Sequence, residues 1–440
     1  MIKDYASMTQ QQPVTVSIYA QTDVGKIRQN NEDNFLIADL TREDYRTATD
    51  DEQWSEDLIT FQVGEKGFIA AVSDGMGGAL AGEVASDLAV HAVRLLMLKL
   101  QSMPEYAQLP FSEQFRLAIE QTNKLIHIQS QASPQFAGMG ATFTGLGFFQ
   151  GRAYLAQVGD SRAYVIRGNQ IVQATKDQSL VGQLVDAGYL TEEQAQEHVY
   201  KNVILQALGA QPDTEVVVDR LTLYRDDVIL LCSDGLSNKV QGSMLAEVIR
   251  SCSDLKRACQ ELINMANERG GEDNITVVLC EFSGDGLPAP TDPLDFDLER
   301  MKRQTTLPVN LIPDLLDPKS LLAEALKKSD HPVAELEAAA ASSESDTNPD
   351  QVMRETNDSS FLESPQHETD SAERNIVPIL IGLLIVVFVG AVLAVAWYIK
   401  TWKDKDQSPQ ETPARPMTLG PRAHDPILPL IGGCLYQFPT

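Results

Sequence analysis

Five aspartates in five short motifs carry the chemistry this 440-residue chain could do. The first motif is Thr22-Asp23-Val24-Gly25-Lys26-Ile27-Arg28-Gln29-Asn30-Asn31-Glu32-Asp33. The others are Ser73-Asp74-Gly75-Met76-Gly77-Gly78, Gly159-Asp160-Ser161-Arg162, Cys232-Ser233-Asp234-Gly235 and Glu272-Asp273-Asn274. Beyond the first motif, each aspartate falls at the edge of a strand-like run. Two of them, Asp74 and Asp234, are followed by glycine, which lets the backbone turn sharply and expose its carbonyl. Carboxylates that converge cannot all stay ionised without cations between them. Oxygen donors alone select hard ions, so Mg²⁺ or Mn²⁺ rather than zinc. His91, His127 and His198 show no zinc-site spacing. Any single Asp-Gly pair is an ordinary turn dipeptide; the specific signal is the ordered set.

Elements able to hold such a set are legible around the motifs. Strand-like runs rich in Val, Ile, Thr, Tyr and Phe occupy 67–72, 141–149, 153–158, 162–166, 215–218, 228–232 and 275–281. Turns at Gln150-Gly151 and Gly168-Asn169 predict antiparallel hairpins. Three stripes at helical spacing run through Val84–Leu96, Phe115–Ile126 and Leu255–Ala266, the last with Ser253 as its expected cap and Gly270-Gly271 as its stop. Each helix is apolar on one face, so each must lie on a sheet. This predicts an α+β fold of stacked antiparallel sheets with helices outside.

Taken together, the motifs resemble the metal-dependent protein phosphatases of the type-2C family in their bacterial form. The likeness covers residues 15–282 and includes Lys176-Asp177-Gln178-Ser179-Leu180-Val181 and 202–209, which resemble the borders of that family's flap. It implies a four-layer α/β/β/α sandwich and hydrolysis of phosphoserine and phosphothreonine on proteins. It also implies two Mn²⁺ or Mg²⁺ ions, and a third, weaker one as in bacterial members. Asp74 would bridge two ions, with the Gly75 carbonyl on one of them. Asp234 and Asp273 would complete the first shell, and Asp160 with Asp234 would hold the third ion. Glu32 and Asp33 would position waters, and Arg28 would grip the phosphate. Some relatives carry a histidine within or just after the Asp-Gly-x-Gly-Gly motif. Met76 and Ala79 stand there in this chain, so no general acid is assigned. A catalytically dead membrane-tethered binding module is the rival reading, and the completeness of the carboxylate set argues against it.

The composition, 43% hydrophobic and 22% charged, permits a sizeable core. A net charge of −27 argues against nucleic acid as a partner, since phosphates need a basic surface. The five cysteines show no paired spacing and fit a reducing compartment. The chain divides into a polar lead-in at 1–14, the phosphatase-like domain at 15–283, an acidic and mostly disordered linker at 284–375, an uncharged 24-residue stretch at 376–399, and a Pro-rich tail at 400–440. The linker holds 20 Asp/Glu against 8 Lys/Arg, the composition of a solvated tether. The 376–399 stretch is long enough for one transmembrane helix, with Trp397 and Tyr398 at its interface. No signal peptide is visible at the N-terminus. Lys400, Lys403 and Lys405 would draw the tail inward. The resemblance instead implies a single pass through a bacterial cytoplasmic membrane, the catalytic domain in the cytoplasm opposing a serine/threonine kinase. We adopt that orientation, because long domains are not governed by charge bias.

Overall fold

The computed structural model describes residues 13–49, 59–132, 134–290 and 296–303. The 376–399 stretch, the tail, a possible short helix at 321–328 and most of the linker lie outside the described residues. Among the described residues, no helix is long and apolar enough to cross a membrane.

Two antiparallel sheets form the frame. The first contains β1 (Thr15–Asp23), β4 (Thr60–Gln62), β9 (Arg162–Arg167), β10 (Gln170–Gln173), β12 (Val228–Cys232) and β13 (Ile275–Ser283), in the order β10-β9-β12-β13-β1-β4. The second runs β14-β11-β8-β7-β5-β2-β3. Its members are β2 (Asp33–Asp39), β3 (Asp44–Thr47), β5 (Phe68–Met76), β7 (Phe143–Phe149), β8 (Arg152–Val158), β11 (Val217–Leu221) and β14 (Leu298–Arg300), with the short β6 (Gly140–Ala141) paired to β5. The hairpins expected at Gln150-Gly151 and Gly168-Asn169 join β7 to β8 and β9 to β10.

The alternation of each strand explains the layering. Val278, Cys280 and Phe282 of β13 point into the space between the sheets with Val16 and Ile18 of β1 and Phe68, Ala70 and Val72 of β5. Phe68 and Phe148 of one sheet meet Phe282 of the other at ring-centroid distances of 6.0 and 5.2 Å. The opposite faces are apolar as well. Ile275, Val277 and Leu279 of β13 lie under α5 (Gly242–Ser251) and α6 (Leu255–Glu268). Ile69 and Ala71 of β5 lie under α1 (Ala79–Ser102) and α2 (Phe111–Ala132). A strand covered on both faces is apolar at nearly every position, which is why β13 reads as a continuous run from Val277 to Cys280 rather than an alternating one.

Several details differ from the sequence expectation. β5 continues past Val72 to Met76, because Gly75 and Met76 pair with β6. The strand expected at 215–218 runs Val217–Leu221, the stretch that pairs with β8. Asp254, not Ser253, caps α6, its carboxylate accepting from the Arg257 N–H at 2.8 Å. The fold also does not stop at 283. β14 adds to the edge of β11, and Phe296 stacks on the buried Arg167 guanidinium 4.9 Å away. Arg116 on α2 donates to the Met301 carbonyl at 2.8 Å.

Candidate active site

All five aspartates gather at one end of the sandwich, where the chain crosses between sheets. Residues 24–32 arch from the end of β1 in one sheet to the start of β2 in the other. Residues 159–161 cross from β8 back to β9. Asp33 and Asp74 are direct partners across the β2–β5 ladder. Asp160 lies in the second crossing, Asp234 just after β12, and Asp273 just before β13. A crossing cannot continue a ladder, so its backbone is free to present side chains to a cleft. That is why the chemistry sits here.

Hydroxyls and amides lock the aspartates in place. The Asp33 carboxylate accepts from the Ser233 and Thr276 hydroxyls, both at 2.7 Å and both from the opposite sheet. The Asp74 N–H donates to the Thr142 hydroxyl at 2.9 Å, and the Thr142 N–H returns a bond to the Asp74 carbonyl at 2.8 Å. The Gly75 N–H donates to the Glu32 carbonyl at 3.1 Å. A Cβ on Gly75 would lie 2.0 Å from the Gly82 carbonyl oxygen, so only glycine lets β5 and α1 approach this closely. One oxygen of Asp234 accepts from Asn238 at 3.0 Å. The Asp273 carboxylate accepts from the Asn274 N–H at 2.9 Å and pairs with Arg28 at 3.0 Å. Arg28 is about half exposed, and in this structure it spends its Nη2 on Asp273.

Electrostatics records the crowding. Burial, and then Asp33, Asp234, Asp160 and Asp273, push the Asp74 carboxyl well above its ordinary range. Burial pushes Asp33 up to about 7 despite its two hydroxyl donors. Burial and Asp234 push Asp160 up to about 7, and burial and Asp273 push Asp234 up to about 6. Burial also raises Glu32, with Arg28 opposing.

Among the described residues, no three His, Cys, Asp or Glu side chains stand close enough about one point to form a ready coordination shell. The donor set still fits hard cations. Asp160 Oδ1 and Asp234 Oδ1 are buried oxygens with no hydrogen-bond partner among the described residues, and every candidate donor is an oxygen. A cleft of about 260 Å³ opens beside these two aspartates. Its far wall is the flap, with α3 (Leu180–Asp186) and α4 (Glu192–Gln196), and it is also lined by Asp177, Ser179 and Ser237.

The three histidines of this region are engaged elsewhere. His91 stands beside Asp87, His127 bonds the Gly209 carbonyl, and His198 accepts from the Tyr200 N–H. Thr142, Ser233 and Thr276 escaped the sequence reading. Ser233 immediately precedes an Asp-Gly pair and Thr276 falls two residues after Asn274; only the pairing of strands shows that both reach Asp33.

Five aspartates at one end of a β-sandwich, two of them with buried, unpartnered oxygens, make a site suited to hard cations. Residues 46–280 match the family model described as protein phosphatase 2C. The serine/threonine phosphatase stp of Listeria monocytogenes is 35% identical over 265 residues, covering 59% of this chain and 94% of that protein. Protein phosphatase PhpP of Streptococcus pneumoniae is 35% identical over 232 residues, 52% of this chain and 92% of that one. The crystal structure of a bacterial serine phosphatase, 28% identical, superposes with a TM-score of 0.51 over 61% of this chain and 98% of its own. The chain belongs to the protein phosphatase 2C family, whose members depend on metal ions, and is a serine/threonine protein phosphatase.

Proposed function

We propose that this phosphatase works with two Mn²⁺ or Mg²⁺ ions held by Asp74, the Gly75 carbonyl, Asp234 and Asp273, with a third, weaker ion at Asp160 and Asp234. The observation that carries this reading is the pair of buried, unpartnered oxygens on Asp160 and Asp234, set among carboxylates whose protonation is favoured by mutual repulsion. Bound there, divalent ions supply the positive charge that offsets the carboxylates and eases the ionisation of water.

The protein's own groups do the rest. Arg28 leaves Asp273 to hold the phosphoryl oxygens of the substrate, where a guanidinium fork matches two oxygens at once. Asp33, clamped through one oxygen by Ser233 and Thr276, keeps the other for orienting water, and Glu32 does the same from the arch. Water adds to phosphorus as the ester P–O bond breaks, and the released serine or threonine oxygen takes up a proton. With Met76 and Ala79 at the places where some relatives have histidine, no side chain is assigned as its donor.

We further propose that the enzyme is anchored in a bacterial cytoplasmic membrane by 376–399, the catalytic domain in the cytoplasm, where it opposes a serine/threonine kinase. The lysines after the stretch, Lys400, Lys403 and Lys405, weigh against this orientation by charge, but a long domain is not governed by that bias. Protease protection in spheroplasts tests it: cleavage of the catalytic domain from outside overturns it.

The catalytic reading is tested by hydrolysis of a phosphothreonine peptide by the full chain with Mn²⁺, Mg²⁺, Zn²⁺ or EDTA. The expected result is turnover with Mn²⁺ or Mg²⁺ and none with EDTA. Turnover that survives exhaustive chelation, with no metal detected in the protein, sinks it.

A further inference from the structure

We propose that Asn274 is a positioning residue that acts through Arg28: its side chain closes the base of the arch and thereby aims the guanidinium. The inference rests on the reading of Arg28 as the phosphate-binding group. Asn274 is 4% exposed and directly follows Asp273 in the last of the five motifs. Its Oδ1 accepts from the Glu32 N–H at 2.8 Å. Its Nδ2 donates to the Val24 carbonyl at 2.9 Å and to the Asn30 carbonyl at 3.0 Å. One amide thus holds both feet of the loop, Val24 on one side and Asn30 and Glu32 on the other.

The fit is specific to this side chain. A carboxamide offers one acceptor and two donors in a plane, and here each is used. Aspartate would keep the bond from Glu32 and set a charge against two carbonyl oxygens. Alanine would leave all three backbone groups without it. The peptide carrying Asn274 is itself wedged. A Cβ on Gly235 would sit 2.0 Å from the Asn274 carbonyl oxygen, and a Cβ on Gly25 would sit 2.3 Å from that of Asp273. The clamp therefore has a fixed base, whereas the crest it controls does not. Residues 26–30 are all exposed. Among them the Lys26 N–H is tied to the Gly271 carbonyl at 2.7 Å. Arg28 is tied to Asp273 through Nη2, a bond that phosphate binding through that nitrogen would break. Once Arg28 turns to substrate, the closed base set by Asn274 is what limits its wandering, and a loop held at both feet gives up less freedom on binding.

The test uses the full chain and four forms: wild type, Arg28→Ala, Asn274→Ala and the double variant. KM for a phosphothreonine peptide and the inhibition constant for orthophosphate are measured at saturating Mn²⁺. Asn274→Ala is expected to raise both by about tenfold, the scale of lost supporting contacts around a site, and to change kcat much less. In the double variant the two losses are not expected to multiply, because one residue acts through the other. Hydrogen exchange without added metal supplies the independent readout: the bonded amides of Gly25, Lys26 and Glu32 speed up in Asn274→Ala, and those of Gly25 and Lys26 in the isosteric Asn274→Asp, while those of β13 do not. Losses that multiply, or an unchanged KM in Asn274→Ala beside a raised one in Arg28→Ala, overturn the role of Asn274. Faster exchange spread over the whole domain in both variants makes it a folding residue and also overturns it. An unchanged KM in Arg28→Ala overturns instead the reading on which the inference rests.

Discussion

The arch at 24–32 and the flap at 176–205 border the same carboxylates, and both hold apolar side chains in water. Ile27 on the arch is 67% exposed, and on the flap Tyr189 and Val199 are 77% and 86% exposed. Their anchoring is opposite. The arch is short and tied at both feet by one buried amide, with Gly25 pressed onto the Asp273 backbone. The flap is long and is held chiefly at its root. There the Leu180 N–H donates to the Val203 carbonyl, the Leu205 N–H to the Gln178 carbonyl, and Gln178 grips Gly159. Beyond the root, α3 buries only Val181 and α4 buries nothing. Local stability follows buried contacts, so the arch belongs to the rigid floor of the cleft and the flap to its compliant wall. The floor spends stability on function, since its carboxylates repel, whereas the wall spends almost nothing.

The sharpest way to break this contrast is to remove a floor carboxylate. Asp74→Asn is expected to lower kcat on a phosphothreonine peptide by about a thousandfold or more, the scale on which preorganised charge acts at a reacting centre. Without divalent ions at neutral pH, the same variant should melt no lower than wild type, because a repelled, buried carboxylate has been taken away. A variant that keeps wild-type turnover removes Asp74 from the site. One that melts well below wild type shows that the floor is held by that carboxylate rather than strained by it.

The legibility of the two regions in sequence differs for the same physical reason. Every aspartate of the floor was readable, because a carboxylate beside a strand end and a glycine leaves a local mark. β5, β7, β8, β9, β12 and β13 were readable from their runs of β-branched and aromatic residues, and α1, α2 and α6 from their stripes. What holds the floor was not readable. The bonds from Asn274 to Val24 and from Thr276 to Asp33 join residues far apart in the chain. β14, three residues long, becomes a strand only because β11 offers an open edge. The flap helices were passed over because, burying almost nothing, they carry no stripe to detect.

A pH titration of stability sharpens the contrast next. Asp33 and Asp160 sit at about 7 and Asp234 at about 6 in the folded protein, against about 4 for an unfolded aspartate. The folded state therefore binds more protons than the unfolded one between about pH 4 and pH 7. The stability these groups contribute is complete below that window and is lost as pH rises through it. In EDTA, the melting temperature should fall between pH 5 and pH 8 by something on the order of 5 °C. Mn²⁺ should flatten that slope. A metal-free melting curve that rises across the same window contradicts the crowding of the floor. Glu193, Asp254 and Glu272, held below the usual range by hydrogen bonds, act in the opposite sense, but only at more acidic pH.

The joint between floor and wall should give an intermediate effect. The Gln178 side chain accepts from the Gly159 N–H at 2.8 Å, next to Asp160. Gln178→Ala leaves that buried donor unpaired, at a cost of about 1–3 kcal/mol. Denaturant midpoints measure it, and a change within the error of the midpoint would mean that water replaces the side chain and that the flap root does not grip the turn.

The smallest effects belong to the wall itself. Tyr189→Ser and Val199→Ser remove large apolar groups that touch little, so each is expected to shift stability by less than about 0.5 kcal/mol. In limited proteolysis of the folded protein, the first cut is expected within 187–201, where chain is exposed and its backbone lightly held, well before any cut in the arch. Should Tyr189→Ser destabilise by as much as the loss of a core residue, or the arch be cut first, the ranking of the two regions is inverted. The clamp at Asn274 would then be the weaker anchor, and the rigid side of the cleft would have to be sought in the flap.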